Sequence, residues 1–139
     1  MSDKIGKSRR RRRSEETRQA MTYQLEYVVD ELDMEMMLLA DNQGIILAHT
    51  GDEDTAELLA AHAEGLARGM APTSDLLRVF PDLTRNQILC EAVNLDDIPL
   101  YLCAIMDPSP ENAKGYQRVR DGIQRIYYST SELAGDPGE

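Results

Sequence analysis

Few side chains in this chain stand where they could do chemistry. The two cysteines, Cys90 and Cys103, are too few for a disulfide scaffold or a structural zinc site, and neither lies at metal-ligand spacing from a histidine. Both read as small buried apolar residues. His49 ends a candidate strand, where it reads as a solvated or packed side chain. His62 lies on the apolar stripe of a candidate helix and reads as packing at a helix surface or a subunit contact. The acidic runs "GDED" at 51–54 and Asp96-Asp97 lack the alternating oxygen ligands of a calcium loop and read as caps and turns. No Gly-rich phosphate loop, G-x-S-x-G or H-x-x-x-H pattern occurs. The expectation is a protein that is not an enzyme, with no catalytic residue, cofactor site or metal site.

Charge is the stronger local signal. Residues 1–13 hold seven cations, Lys4, Lys7 and Arg9, Arg10, Arg11, Arg12 and Arg13, against Asp3, a net +6; residues 14–139 hold eight cations against twenty-four carboxylates, a net −16. Such an arm has almost nothing to bury and reads as disordered. Its guanidiniums form an exposed donor for phosphates, lipid head groups or acidic protein surface. No aromatic residue is interleaved for base stacking. An acidic protein partner, a contact with the chain's own acidic body, nucleic acid and a membrane surface all fit this chemistry.

The elements that must carry these residues follow from periodicity. At 139 residues, with 42% hydrophobic residues, the chain can build one domain, expected over 14–134 with a short disordered tail at 135–139. Ser14 as N-cap, Glu15 and Glu16 in the first turn, and Met21, Leu25, Val28, Val29 and Leu32 on one stripe predict a first helix. Short apolar runs then flank Asn-Gln-Gly and predict a hairpin of 35–41 with 44–50, with Gly44 at positive φ. "GDEDTAELLAAHAEGLARGM" predicts a second helix capped by Asp54, striped by Leu58, Leu59, His62, Ala63, Leu66 and Met70, and ending near Gly69. "DLLRVF" alternates Leu77 and Val79 with Arg78 and Phe80 and predicts a short strand closed by Pro81. "NQILCEAVNL" and "PLYLCAIMD" predict a second hairpin. A last helix starts at Ser109 with Pro110 at its first position, its stripe running from Tyr116 to Leu133. Gly115 and Gly122, seven apart and therefore on one face, predict close approach of that helix to the sheet. The fold class expected is α/β: a single antiparallel five-stranded sheet sandwiched by three helices, in the order α-β-β-α-β-β-β-α.

The order of elements, together with "MMLLADNQGIILAHTGDEDTAELLAAHAEGLARG", resembles the roadblock/dynein light chain family: an apolar strand, a D-x-x-G turn from Asp41 to Gly44, a second strand "IILA", and a Leu/Ala-rich helix beginning "AELLAAHA". The resemblance covers 14 to about 133. It implies a module without catalytic residues that dimerises by joining sheets edge to edge and pairing its second helix with that of its mate. It also implies a platform or regulator role toward small Ras-like GTPases, or a place in motor and polarity complexes. By position the joining strand is Leu76–Phe80 and the pairing helix Thr55–Met70, so the implied homodimer interface holds Leu59, His62, Ala63, Leu66, Met70, Leu77 and Val79. The Arg-rich arm is not part of the family's pattern and is where this chain's own specificity would reside.

Two other classes are carried beside this one. A PAS- or GAF-like small-molecule sensor needs a roomy apolar pocket with convergent polar groups, and a nucleic-acid-associated protein acting through Arg9–Arg13 must show steep salt dependence. No secretory leader and no membrane-spanning run is read from the sequence, so the expected compartment is cytoplasmic. A hairpin turning on Asp96-Asp97 pairs positions whose numbers sum to 193, which sets Cys90 against Cys103. In a reducing compartment the expectation is two free, buried thiols. Asp-Asp is a poor two-residue turn, and Pro99 limits pairing, so a longer loop with a shifted register is the competing reading.

Overall fold

The computed structural model describes the backbone of residues 2–134 and the side chains of 15–129 apart from Arg85. In chain order the elements are α1 (Ser2–Leu32), β1 (Met36–Asp41), β2 (Ile46–His49), α2 (Glu53–Ala67), α3 (Ser74–Val79), a 3-10 turn (Arg85–Gln87), β3 (Ile88–Leu95), β4 (Ile98–Ile105) and α4 (Pro110–Ala134). The strands form one antiparallel sheet in the order β2-β1-β4-β3. The sheet thus has four strands, not the five expected.

Leu76–Phe80, expected as the remaining strand, lies in and just beyond the six-residue helix α3. Thr73 caps it by accepting a hydrogen bond from Leu76 N, with Asp75 in the first turn and Arg78 in the last. Leu76 and Phe80, four apart, share one helical face and pack into the core under α2, and strand alternation would have set the same two residues on one face. A run of six residues fits both periods, and the cap decided.

The sheet is covered on both faces. Met37, Leu39, Val93, Leu95, Leu100, Leu102 and Ala104 pack with α1 and α4, while Met36, Leu38, Ala40, Ile88, Cys90, Cys103 and Ile105 pack with α2 and α3. Strand alternation produces this division, and apolar residues at both parities explain the continuous apolar runs. Helix α1 runs back to Ser2, through the Arg-rich arm expected to be disordered and past Ser14, expected as its cap. Arg, Lys and Glu are good helix formers, and a helix nucleated on packed turns extends at little further cost. The side chains of Arg9–Arg13 lie outside the described residues.

Gly115 and Gly122 do face a neighbour closely, but the neighbour is α1 rather than the sheet. A Cβ on Gly115 would come within 3.2 Å of Val28 and closer still to Leu32, and one on Gly122 within 2.9 Å of Gln24. The same pair of helices is tied by Arg118 Nη1 donating to Glu31 Oε2 at 3.0 Å.

Candidate interaction surfaces

The turn between β1 and β2 is built by Asp41. Its Oδ1 accepts from Gln43 N at 2.8 Å and from Ile45 N at 2.9 Å, while Gly44 takes φ +82°. These bonds satisfy the backbone of the loop and leave a structural turn. At the other end of β2, Thr50 Oγ1 accepts from Met37 N at 3.0 Å, so the short strand is held at both ends.

Helix α2 is capped by Asp52 rather than by the expected Asp54, Oδ2 of Asp52 accepting from Thr55 N at 3.0 Å. Of the residues expected at a subunit contact, Leu59, Ala63 and Leu66 point inward and are spent in the chain's own core. His62 is half-buried, its Nε2 lying 3.3 Å from Thr73 Oγ1. Met70, Leu77 and Val79 reach the surface, at 60%, 37% and 44% exposure. Between them α2 and the segment after it leave a groove of about 210 Å³ along His62, Gly65, Met70 and Thr73. At Gly65 a Cβ would lie 2.9 Å from Sδ of the exposed Met70, a side chain free to shift. His49 is also half-buried, Nδ1 lying 3.3 Å from Thr50 O.

A second cleft, of about 300 Å³, opens at the end of the sheet where β4 leaves and β1 enters. Its polar rim is Asp33, Glu35, Asp82, Asp107 and Gln87, with Phe80 and Ile105 behind. A rim of carboxylates repels phosphates and other anions. Among the described residues, no three His, Cys, Asp or Glu side chains are disposed to hold a metal ion. No described helix is long and apolar enough to cross a membrane.

The hairpin register is the one obtained from the position sum. Leu95 pairs with Ile98 and Cys90 with Cys103, around Asp96 and Asp97 at φ +51° and +66°. Positive φ at both residues makes a type I′ turn, which aspartate tolerates better than most non-glycine residues. The expectation of free thiols is overturned, since the two sulfurs are bonded to each other and neither cysteine is free. The physical reason is position: they oppose each other directly on the α2 face, with Cα atoms 4.1 Å apart. Cys90 Sγ also lies 3.2 Å from Ala63 O of α2, a contact that becomes a hydrogen bond only when the sulfur carries a proton.

A four-stranded antiparallel sheet with α1 and α4 on one face and α2 and α3 on the other defines a small α/β module. Among solved structures with this fold are MglB with a tetrameric arrangement (17% identity over 82% of this chain and 92% of that chain, TM-score 0.52), gliding protein MglB from Thermus thermophilus (16%, 81% and 92%, 0.51) and Myxococcus xanthus MglB (11%, 81% and 91%, 0.52). At these identities the likeness is one of fold, and at that level the resemblance read from the sequence holds. No family model and no curated protein matches the chain.

Proposed function

We propose that the chain is a non-enzymatic, homodimeric interaction module, a scaffold or regulator of a small Ras-like GTPase or of a motor or polarity complex. The observation that carries this reading is the fold shared with MglB structures, joined to the exposed apolar side chains Met70, Leu77 and Val79, of which Met70 lines a groove on α2. Isolated apolar residues on a surface mean little, but these three fall within ten residues of one another in sequence, just beyond the end of α2 and in α3. A sensor reading finds less support, because the cleft at the sheet end is rimmed by carboxylates and the strands fill their own interior with Leu, Ile and Met. Within this reading residues 1–13 are an appendage to the domain at 14–134, and Arg9–Arg13 engage an acidic or phosphate-bearing partner.

Affinity capture from cell extract with the whole chain and with a chain lacking 1–13, read by mass spectrometry, tests both parts. A Ras-like GTPase retained by both forms in one nucleotide state is the expected result. Recovery of nucleic acid alone, released by salt and lost with 1–13, would replace the proposal by the nucleic-acid reading. Removing 1–13 is expected to leave the melting temperature nearly unchanged. A clear drop would mean that the arm packs on the acidic body.

A further inference from the structure

The bond between Cys90 and Cys103 adds little that the fold has not already fixed. It joins residues 13 apart in sequence, across a hairpin whose register is set by eight residue pairs and a two-residue turn. A crosslink that closes so short a loop removes less freedom from the unfolded chain than one closing a long loop. The paired strands keep the two side chains opposite each other whether or not the sulfurs are bonded.

The thiol form has a partner waiting for it. Cys90 Sγ lies 3.2 Å from Ala63 O, a distance that suits a hydrogen bond from a thiol, and a bonded sulfur has no proton to give. Near the end of α2, Ala63 O receives the helical amide four residues on, that of Ala67, and keeps a second lone pair for Cys90. Cys103 is fully buried and Cys90 nearly so, in the cluster that includes Leu38, Leu59 and Ala63. Such surroundings suit a neutral thiol. The fold therefore accommodates both states: the oxidised pair crosslinks β3 to β4, and the reduced pair ties β3 to α2.

We propose that Cys90 and Cys103 form a reversible dithiol–disulfide pair whose redox state sets how firmly the end of α2 is held to β3. The co-reactant is a dithiol. One of its thiolates attacks Cys90 Sγ, which lies on the edge strand and is the less buried of the two sulfurs. A mixed disulfide forms, and Cys103 Sγ leaves with the electron pair of the broken bond and takes up a proton. The second thiol of the reductant loses its proton and attacks its own partner sulfur, which closes a disulfide in the reductant and releases Cys90 to be protonated in turn. Two electrons and two protons have then passed to the protein, and a disulfide oxidant reverses the sequence. Reduction gives Cys90 the proton it donates to Ala63 O; oxidation removes it. The groove along His62, Gly65 and Met70 is built on the same end of α2, with Met70 N donating to Gly65 O at 3.0 Å, so its firmness follows the state of the pair. No partner is needed to observe this, and it stands apart from the proposed function.

The whole chain, equilibrated in mixtures of reduced and oxidised dithiothreitol, provides the test. Thiols are counted by alkylation after quenching and denaturation, folding is followed by circular dichroism, and the α2 amides by hydrogen exchange. Thiols should rise from none to two with circular dichroism unchanged. Amides 67–70 should exchange about two- to threefold more slowly in the reduced chain, the scale of one weak hydrogen bond. Loss of a crosslink alone would speed exchange, so the sign identifies the new tie. Cys103→Ala keeps Cys90 a thiol and should hold the slow exchange in every mixture, whereas Cys90→Ala has no donor and should hold the fast one. A chain that unfolds on reduction, or whose bond yields only after denaturation, would make the disulfide a structural crosslink and overturn the proposal. Two thiols in fully oxidised dithiothreitol would overturn it from the other side. Equal or faster exchange in the reduced chain would remove the tie to α2. Should either variant fail to fold, the wild-type series decides by itself.

Discussion

The layer of α1 and α4 and the layer of α2 and α3 cover the same sheet but end differently. In the first, two helices lock to one another as well as to the strands: glycines let them approach, Tyr116 is buried between them and the sheet, and ion pairs stitch their rims. In the second, only the inner stripe of α2 and Leu76 of α3 are buried, and Met70, Leu77 and Val79 are left at the surface. The difference teaches a division of labour. The first layer is tied helix to helix, although Tyr23, Tyr27 and Tyr128 stay exposed on it, and the second leaves aliphatic side chains free to meet something else.

The largest expected effect sets one residue from each layer side by side. Leu25, fully buried on α1, should lose about 3 kcal/mol on replacement by Ala, from transfer and cavity terms together. Leu77→Ala on α3, more than a third exposed, should cost less than about 0.5 kcal/mol per protomer. Urea midpoints at constant slope measure both. Equal losses would mean that the α2 and α3 layer is as much a core as the other.

Tyr116 sharpens the comparison through pH. Its hydroxyl donates to Leu102 O at 2.8 Å, and burial, reinforced by the nearby charge of Glu91, pushes its pKa well above that of a free tyrosine. Above pH 10 the unfolded chain therefore releases a proton that the folded chain retains. Stability is fully present below pH 10 and falls as pH rises beyond it. Tyr116→Phe should cost about 1 kcal/mol at neutral pH for the lost hydrogen bond and flatten the alkaline decline. An alkaline decline of the same slope in the variant would assign it to other groups.

What the sequence made legible, and what it did not, follows the same physics. The pairing of Cys90 with Cys103 was readable by arithmetic, because a two-residue turn leaves no freedom in register. Pro99 did not disturb it: the residue sits at a non-bonded position of β4, where a missing N–H takes nothing from β3. The spacing of Gly115 and Gly122 revealed a crowded face but not which element crowds it, since a helix seen alone carries no information about its neighbour. For Leu76–Phe80 the local pattern was ambiguous between two periods, and the open β3 edge was hidden behind that error. Of the residues expected at the surface of α2, Leu59, Ala63 and Leu66 failed because an apolar stripe reads the same whether it faces its own sheet or a partner.

The two glycines provide a finer test within the locked layer. Replacement of either by Ala gains about 1 kcal/mol of helix propensity, so crowding decides the sign. Around Gly115 a new Cβ meets Leu32, Val28 and Met34 together, and Gly115→Ala should be destabilising by about 1 kcal/mol. Around Gly122 it meets only the end of Gln24, which can swing aside, so Gly122→Ala should be neutral or slightly stabilising. Melting curves of the two variants should move in different directions, and a shared drop would show that α4 tolerates no approach to α1 along its whole length.

The smallest effects belong to the ion pairs at the rim of that layer. Arg118–Glu31 joins α4 to α1 with both side chains about half exposed, whereas Arg120–Glu91 joins α4 to β3 with Arg120 less exposed. Solvent screens the first more strongly, and ordering two long side chains offsets much of its attraction. Arg118→Ala should cost less than about 0.5 kcal/mol and the difference should vanish in high salt. Arg120→Ala should cost more, because Glu91 then remains half-buried beside Tyr116 without its cation. A double-mutant cycle for each pair, at low and at high salt, measures the coupling directly. Equal, salt-insensitive couplings would show that burial does not distinguish the two pairs and that the stitching of α4 to the sheet is no tighter than its stitching to α1.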